Sequence, residues 1–277
     1  MKVVRTTING GLSVLRAFAN GRGASVSIEL PMKIIMREFG ESHRRFKELI
    51  SLIQERYDIS NPPQIEIVST IPQGMGLKSS SAMVSGVLLS LNKIFGIFQS
   101  EQQIAAESAH ISKLLKISST GAFDDICSCI FGGLCYTDNN QKILLNRSLV
   151  EEKDVIIIPG DHERSSFDTG KIDFSKYMKK FNDVEEMVIN GKFLDAMKAN
   201  GNIFMDIFGV DRNIMDSVEG THPLIFGQSG KGPAMFAVFD RNDDAMKAYE
   251  KLERLKLFPI KSHLTNKPAK TEEINEC

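Results

Sequence analysis

The window IPQGMGLKSSSAMVSG, residues 71–86, constrains the fold of this chain more than any other part of the sequence. A strand-like run leads into a loop with two glycines, Gly74 and Gly76, and an apolar helix follows. Glycine permits backbone angles and close approaches that a side chain forbids, so the loop amides can turn inward around an anion. Consecutive serines then begin the helix, where unpaired N–H groups and the helix dipole favour phosphate. These serines are Ser79, Ser80 and Ser81. The window therefore has the chemistry to hold a triphosphate.

The same window has a plainer interpretation, because a glycine-containing turn and a serine cap also begin many helices that bind nothing. Its spacing excludes two familiar phosphate loops, since the run GMGLKS fits neither G-x-x-x-x-G-K-[ST] nor G-x-G-x-x-G. On residue chemistry alone, phosphate binding and a simple helix cap both stay open.

The balance of charge argues against some partners. Lys and Arg number 34 and Asp and Glu number 35, which gives a net charge of −1. No overall positive field is available for nucleic acid or for an anionic membrane surface, and we expect neither partner. No run of 18 or more apolar residues occurs, and the N-terminal stretch lacks the pattern of a secretory signal, so the cytoplasm is the expected location.

The cysteines predict core positions. Cys127, Cys129, Cys135 and Cys277 form no recognisable disulfide framework in a chain of 277 residues. No histidine stands near them at metal-ligand spacing. We interpret the clustered thiols as reduced, small core residues.

The pattern of elements predicts an α+β protein with two domains, residues 1–150 and 151–277. The first half reads as a strand meander, then helices and a hairpin, whereas the second half alternates strands with helices. The polar connection 160–171 is a place for a mobile segment over a site, and the tail from about residue 266 is expected to fray. Predicted strands are 25–30, 33–37, 64–69, 134–137, 142–145, 155–158, 234–239 and 258–263. Predicted helices are 44–56, 81–95, 101–115, 123–131, 175–190, 192–208, 211–218 and 243–255.

Residues 72–82 resemble the P-x-x-x-G-L-x-S-S-x-A phosphate loop of the GHMP small-molecule kinases. Two later segments fall in the order that this superfamily has: TGAFDD at 120–125, which leads into a helix ending at Gly132-Gly133, and GQSGKGPA at 227–234. Within the superfamily the sequence is most similar to the archaeal type of shikimate kinase, in GLKSSS, in TGAFDD and in an early G-x-G-A at 21–24. The nucleotide-binding residues that the resemblance implies are Pro72, Gln73, Gly74, Met75, Gly76, Leu77, Lys78, Ser79, Ser80, Ser81 and Ala82.

The resemblance implies a fold and an activity. The expected fold is an N-terminal domain like domain 2 of ribosomal protein S5, followed by a ferredoxin-like C-terminal domain. The expected activity is ATP-dependent phosphorylation of a shikimate hydroxyl. Homoserine kinase, or another kinase of the superfamily, is the nearest rival. A relative that binds a nucleotide or metabolite without turning it over is the rival from another class.

Phosphoryl transfer needs charge neutralisation at the phosphates and a carboxylate at the attacking hydroxyl. Mg²⁺ takes few protein oxygen ligands, and we expect Ser80 and Glu107 to supply them. Glu107 stands beside the apolar face of its predicted helix, although a solvated helix glutamate is the plain alternative. The resemblance to mevalonate kinase supports a helix glutamate, but its separation from the aspartates is longer here.

For the acid, the resemblance to galactokinase and mevalonate kinase favours Asp125, counted back from Gly132-Gly133, with Asp124 as the alternative. Either aspartate could instead only stabilise the start of its helix. Lys78 could reach phosphate or remain solvated. Recognition of the shikimate carboxylate requires a basic side chain, and the sequence leaves four candidates. These are Arg5, Arg16, Arg22 and Arg164.

Overall fold

A computed structural model describes residues 2–16, 21–98, 100–118, 120–160, 172–209 and 212–275. The strands within these ranges are β1 (Val3–Leu15), β2 (Arg22–Arg37), β3 (Gln64–Ser69), β4 (Leu134–Asp138), β5 (Ile143–Ser148), β6 (Asp154–Ile158), β7 (Ile225–Gln228), β8 (Met235–Phe239), β9 (Ile260–His263) and β10 (Lys270–Glu273). The α-helices are α1 (Lys47–Tyr57), α2 (Ser79–Phe95), α3 (Glu101–Leu114), α4 (Phe123–Phe131), α5 (Met178–Ile189), α6 (Phe193–Phe208), α7 (Arg212–Glu219) and α8 (Asn242–Arg254). Single 3-10 turns, Arg44–Phe46 and Phe174–Tyr177, lead into α1 and α5.

The first sheet has the order β10-β1-β2-β4-β5, and β3 pairs with residues 32–37 at the C-terminal end of β2. β1 and β2 form a long antiparallel hairpin in which Ile8 lies opposite Met32 and Leu12 opposite Val26. The register shifts next to Pro31, where a residue without an N–H cannot continue the ladder. Helices α2, α3 and α4 pack together over this sheet.

The second sheet has the order β7-β8-β6-β9, and all its pairs are antiparallel. Because strand side chains alternate between faces, β6 serves two cores. Ile157 joins the large core that contains Phe204 of α6, whereas Ile158 joins a smaller core with Phe239 and Leu252. Helix α6 also contacts β1, so the two sheets are joined through shared packing.

The predicted α+β class is confirmed, and most of the predicted elements are present. Two predicted strands, 25–30 and 33–37, are parts of the single strand β2, which continues through Pro31 with a shift in its register against β1. Strand β7 was not predicted from the sequence, because its four residues include Gly227 and lead directly into a glycine-rich turn.

The expectation of a frayed tail from about residue 266 is wrong for the part that the structure describes. Lys270–Glu273 forms an edge strand on β1. Arg5 Nη2 lies 2.5 Å from Glu272 Oε1, and the hydroxyl oxygens of Thr6 and Thr271 lie 2.9 Å apart. A polar segment gains order here from an open sheet edge, which its own composition does not reveal.

Cys127, Cys129 and Cys135 are free thiols buried in the core, as expected from the sequence. Cys277 lies outside the described residues, as does nearly all of the polar connection 160–171. Among the helices that the structure describes, none has the length and apolar character needed to cross a membrane.

Candidate active site

A cavity of about 510 Å³ lies where the loop before α2, the start of α4, the end of β1 and the β7–β8 turn meet. Of the predicted loop residues, those that line it are Gly74, Gly76, Lys78, Ser79, Ser80 and Ser81. Met75, Leu77 and Ala82 are buried and support the loop, whereas Pro72 and Gln73 do not line the cavity. Both predicted aspartates, Asp124 and Asp125, do line it.

The loop is shaped by left-handed backbone angles. Gly74, Gly76 and Lys78 have φ values of 72°, 79° and 68°, and α2 begins at Ser79 immediately afterwards. The unpaired amides of the first helical turn and the positive end of the α2 dipole therefore face the serine-lined side of the cavity. This arrangement is suited to phosphate.

The β7–β8 turn holds this loop in place. Ser229 Oγ donates to the Gly76 carbonyl at 2.9 Å, and the Ala234 amide donates to the Met75 carbonyl at 3.1 Å. A Cβ atom on Gly76 would lie only 2.5 Å from the Ser229 carbonyl oxygen, so glycine is required by space as well as by backbone angle. The late glycine-rich segment thus contacts the phosphate loop directly.

Strand β1 supports the loop from the opposite side through two consecutive glycines. The Gly11 amide donates to the Leu77 carbonyl at 3.2 Å. A Cβ on Gly10 would stand 2.7 Å from the same oxygen. The close approach of the two backbones brings Lys78 towards the end of β1.

Lys78 joins the loop to the acidic pair. Its side chain is almost wholly buried, and its Nζ lies 2.8 Å from Asp125 Oδ1 and donates to Ser13 Oγ at 2.5 Å. Ser25 Oγ donates to the same Asp125 oxygen at 2.6 Å. Lys78 is therefore not solvated. It forms a bridge between the phosphate loop and the carboxylate that faces the cavity.

Asp124 has a different environment from its neighbour. It is 7% exposed, and Asn139 Nδ2 donates to its Oδ1 at 2.7 Å. Gly23 makes room for it, because a Cβ there would meet the Asp124 carboxyl carbon at 2.7 Å. Burial, and then the charge of Asp125, raise the pKa of Asp124 to about 6. The side chain of Asp125 is 19% exposed, and one of its oxygens contacts the Lys78 ammonium group. The two adjacent carboxyls therefore have different environments.

Glu107 does not line this cavity, so the structure does not bring it together with Ser80, its predicted partner at a metal ion. Its carboxylate accepts from the Arg56 guanidinium and, at 2.9 Å, from the Tyr57 hydroxyl, and it lines a separate cavity of about 500 Å³. Burial opposes its ionisation, but the hydrogen bonds from Arg56 and Tyr57 outweigh burial and lower the pKa of Glu107. A helical wheel predicts that Glu107 faces the protein, but it does not predict which element Glu107 contacts. In this chain the partner is α1.

No group of three or more His, Cys, Asp or Glu side chains in the described ranges is arranged to hold a metal ion. Ser80 is the only predicted metal ligand that lines the cavity.

The structure separates the candidate arginines. Arg16 lines the cavity, whereas Arg5 pairs with Glu272 and Arg22 pairs with Asp138 at 2.8 Å. Arg164 lies outside the described residues. Ser229 and Lys231 belong to the segment 227–234 that resembles a superfamily motif, but the sequence did not assign them individual roles, and no motif marks the other lining or supporting residues that the sequence did not predict. These others are Ser13, Ser25 and Asn139.

Comparison with known proteins gives the family. Residues 44–133 match the family described as GHMP kinases N terminal domain. The chain is 36% identical, over 90% of its length, to the shikimate kinase of Thermoplasma acidophilum, of which the match covers 91%. It is 30% identical, over 87% of its length, to the shikimate kinase of Pyrococcus abyssi, with 93% of that protein covered.

Solved structures share the whole fold. The mevalonate kinase of Methanococcus jannaschii matches with a TM-score of 0.72 at 14% identity, with 94% of this chain and 98% of that chain covered. The homoserine kinase of Cytophaga hutchinsonii matches with a TM-score of 0.69 at 13% identity, with coverage of 98% and 97%. At such identities the likeness shows the fold alone.

The fold, the phosphate loop and the family match define this chain as a GHMP kinase. Its identity to relatives along nearly their whole length narrows the assignment further. The chain belongs to the archaeal shikimate kinase family of that superfamily, which confirms the resemblance seen in its motifs.

Proposed function

We propose that this protein transfers the γ-phosphoryl group of ATP to a hydroxyl of shikimate, giving ADP and shikimate 3-phosphate. The observation that carries the proposal is the contact of Lys78 with Asp125, 2.8 Å apart, because it places a carboxylate beside the amides of a phosphate loop in one cavity. The name of the Thermoplasma relative, 36% identical over most of both chains, supports shikimate as the acceptor.

In this proposal the amides of residues 74–81 and the α2 dipole hold the phosphates of ATP. Asp125 accepts the hydrogen bond of the attacking hydroxyl and takes its proton as the new O–P bond forms and the bond to ADP breaks. Lys78 holds the Asp125 carboxylate in place, and its positive charge lies next to the loop where negative charge builds up. Asp124 is assigned a supporting role, since it is more buried than Asp125 and accepts a hydrogen bond from Asn139.

The proposal includes Mg²⁺ as the ion that neutralises phosphate charge when ATP is bound. Mg²⁺ is commonly held by phosphate oxygens and water with only one or two protein ligands. Ser80 is the ligand proposed from this chain, and Glu107 is not. The cytoplasm remains the proposed location.

The test is turnover with defined acceptors. Purified protein is mixed with ATP, Mg²⁺ and either shikimate or homoserine, and ADP release is followed together with the phosphorylated product. We expect turnover with shikimate. Turnover with homoserine alone would transfer the assignment to the rival kinase, and nucleotide binding without turnover of either acceptor would favour the non-catalytic relative.

The role of Asp125 is tested by Asp125→Asn, which keeps the shape and removes the charge. We expect kcat to fall roughly 10²-fold or more, the scale of a positioned acid or base, while ATP binding is retained. The matched control is Asp183→Asn, at an exposed position on α5, which should leave kcat unchanged. An Asp125→Asn enzyme with normal turnover would remove Asp125 from the mechanism.

A further inference from the structure

Two cationic side chains from distant parts of the sequence line the same cavity. Arg16 directly follows β1, and Lys231 lies in the turn between β7 and β8. The Arg16 Nη1 atom is 3.0 Å from the position that a Cβ on Gly230 would occupy, so the guanidinium lies against the turn that carries Lys231.

The two positive charges lie close enough to oppose each other. Burial lowers the pKa of Lys231, and the positive charge of Arg16 lowers it further. Burial also lowers the pKa of Arg16, although Asp125 and Asp124 partly offset the effect. Within the ranges that the structure describes, no ion pair includes Lys231. An anion bound between the two side chains would stabilise both charges.

The wall beside Arg16 is aromatic. The guanidinium carbon lies 5.8 Å from the centroid of the Phe204 ring, and Phe204 and Phe208 are stacked with centroids 6.2 Å apart and planes 9° apart. Phe208 itself lines the cavity. An apolar surface next to a cation fits a small carbocyclic acid better than a polyphosphate, which is polar along its whole length.

The part of the cavity next to the loop before α2 has the chemistry for phosphate. It is formed by the glycines and serines of the loop and by the start of α2. Arg16 is also near Asp125, because the position of a Cβ on Gly230 lies 3.0 Å from Arg16 Nη1 and 2.9 Å from Ser13 Oγ, and Ser13 Oγ accepts from the Lys78 amine that contacts Asp125. An acceptor whose hydroxyl contacts Asp125 can therefore place a carboxylate from a nearby ring carbon on Arg16.

We infer that Arg16, assisted by Lys231, binds the carboxylate of the acceptor and that Phe208 contacts its carbon ring. The inference rests on the proposed function and names the subsite that selects an acidic acceptor. The planar guanidinium offers two parallel N–H groups to a carboxylate, so Arg16 supplies the main contact and Lys231 a single point charge.

The experiment compares two acceptors and several variants. Shikimate and its primary amide, which has nearly the same shape without the charge, are assayed with the wild type, Arg16→Gln, Arg16→Lys and Lys231→Gln. The matched control is Arg5→Gln, which removes an arginine paired with Glu272 at the edge of the first sheet. The KM values for acceptor and for ATP are measured separately, and circular dichroism verifies the fold of each variant.

For Arg16→Gln we expect the KM for shikimate to rise roughly 10- to 100-fold, the scale of a lost charge-assisted contact, with the KM for ATP within about 2-fold of wild type. Arg16→Lys should recover part of this loss, and Arg5→Gln should resemble the wild type. The wild type should prefer shikimate to the amide by a factor of roughly 10 or more in kcat/KM, and Arg16→Gln should lose that preference.

A raised KM for ATP with an unchanged KM for shikimate would overturn the inference and assign the two cations to phosphate. Equal use of acid and amide by the wild type would also overturn it, and this arm needs no variant to fold. If shikimate is not turned over, the proposed function fails. The same variants are then assayed with homoserine, which also carries a carboxylate, and an unchanged KM there would refute the Arg16 subsite independently.

Discussion

Asp124 and Asp125 show how the environment divides the roles of adjacent residues of one type. Asp125 contacts Lys78 and is partly open to the cavity, whereas Asp124 is buried against Asn139. The folded protein thus keeps a proton on Asp124 to a higher pH than an unfolded chain would. The pKa of a carboxyl in an unfolded chain is near 4, and that of Asp124 in the fold is about 6.

This difference predicts a pH-dependent effect of Asp124→Asn on stability. Between about pH 4 and pH 6 the native state binds the proton that the unfolded state has released, so the contribution of Asp124 falls as pH rises through that range. Asparagine remains neutral throughout. The free energy of unfolding of the variant, measured relative to that of the wild type, should therefore rise by about 2–3 kcal/mol between pH 4 and pH 6. Above pH 7 this difference should change little.

Urea titrations of both proteins at closely spaced pH values measure this gain. Asp183→Asn, at an exposed position, is the control for the same substitution at the surface. A difference between Asp124→Asn and wild type that is constant with pH would contradict the raised pKa of Asp124.

The sequence alone could predict those cavity residues that lie together in contiguous motifs. The loop 72–82 and the aspartates could be predicted because each motif keeps its members adjacent in the chain. Ser13 and Ser25, which contact Lys78 and Asp125, could not be predicted, since pairing of β1 with β2 and the packing of α4 bring them there. The ion pair of Glu107 could not be predicted for a related reason, because its partner Arg56 is 51 residues away in the sequence.

At the scale of elements, the site depends on backbones that approach without side chains between them. Gly10 of β1 faces the Leu77 carbonyl, and Gly76 faces the Ser229 carbonyl, so the phosphate loop is fixed from two sides. Periodicity could predict most of the strands and helices, but it could not predict these contacts, because glycine carries no hydrophobic pattern. The continuity of β2 through Pro31 could not be predicted either, because proline usually interrupts a strand.

Gly76→Ala tests this fixation against Gly96→Ala. Both glycines have positive φ, 79° and 65°, but a Cβ at Gly76 would lie 2.5 Å from the Ser229 oxygen, whereas a Cβ at Gly96 would meet nothing within 4 Å. Gly96→Ala should lower the free energy of unfolding by about 1–2 kcal/mol through backbone strain and leave the KM for ATP unchanged. Gly76→Ala has the same strain and must also displace the loop or the β7–β8 turn.

We therefore expect Gly76→Ala to raise the KM for ATP by roughly 10-fold or more, since a small misplacement of binding groups has large kinetic effects. Steady-state kinetics with varied ATP, combined with urea unfolding of both variants, separates the two contributions. Equal effects of the two substitutions on the KM for ATP would show that the β7–β8 turn does not hold the loop.

At the scale of the whole molecule, the last strand, β10, pairs with the first strand, β1. Strand β10 covers the edge of β1 with a register that pairs Val4 with Glu273 and Thr7 with Lys270. Composition suggested a frayed tail, because a polar segment shows its order only when the open edge that receives it is known. The edge lies far from the cavity, since Thr7 and Ser13 are about 20 Å apart along an extended strand.

Ending the chain at Ala269 should therefore separate stability from catalysis. Loss of the β10 ladder and of the Thr6–Thr271 contact should lower the free energy of unfolding by about 2–4 kcal/mol, as expected for a few hydrogen bonds of about 1 kcal/mol each. Well below the unfolding temperature, the KM for ATP and kcat should match those of the full chain. Glu272→Gln, which removes the exposed ion pairs with Arg5 and Lys270, should have little effect on either quantity. Denaturant titration and steady-state kinetics on the three proteins measure both.

An unchanged unfolding midpoint would show that β10 contributes nothing to stability. A specific loss of kcat would show that the edge of β1 is coupled to the cavity through the strand.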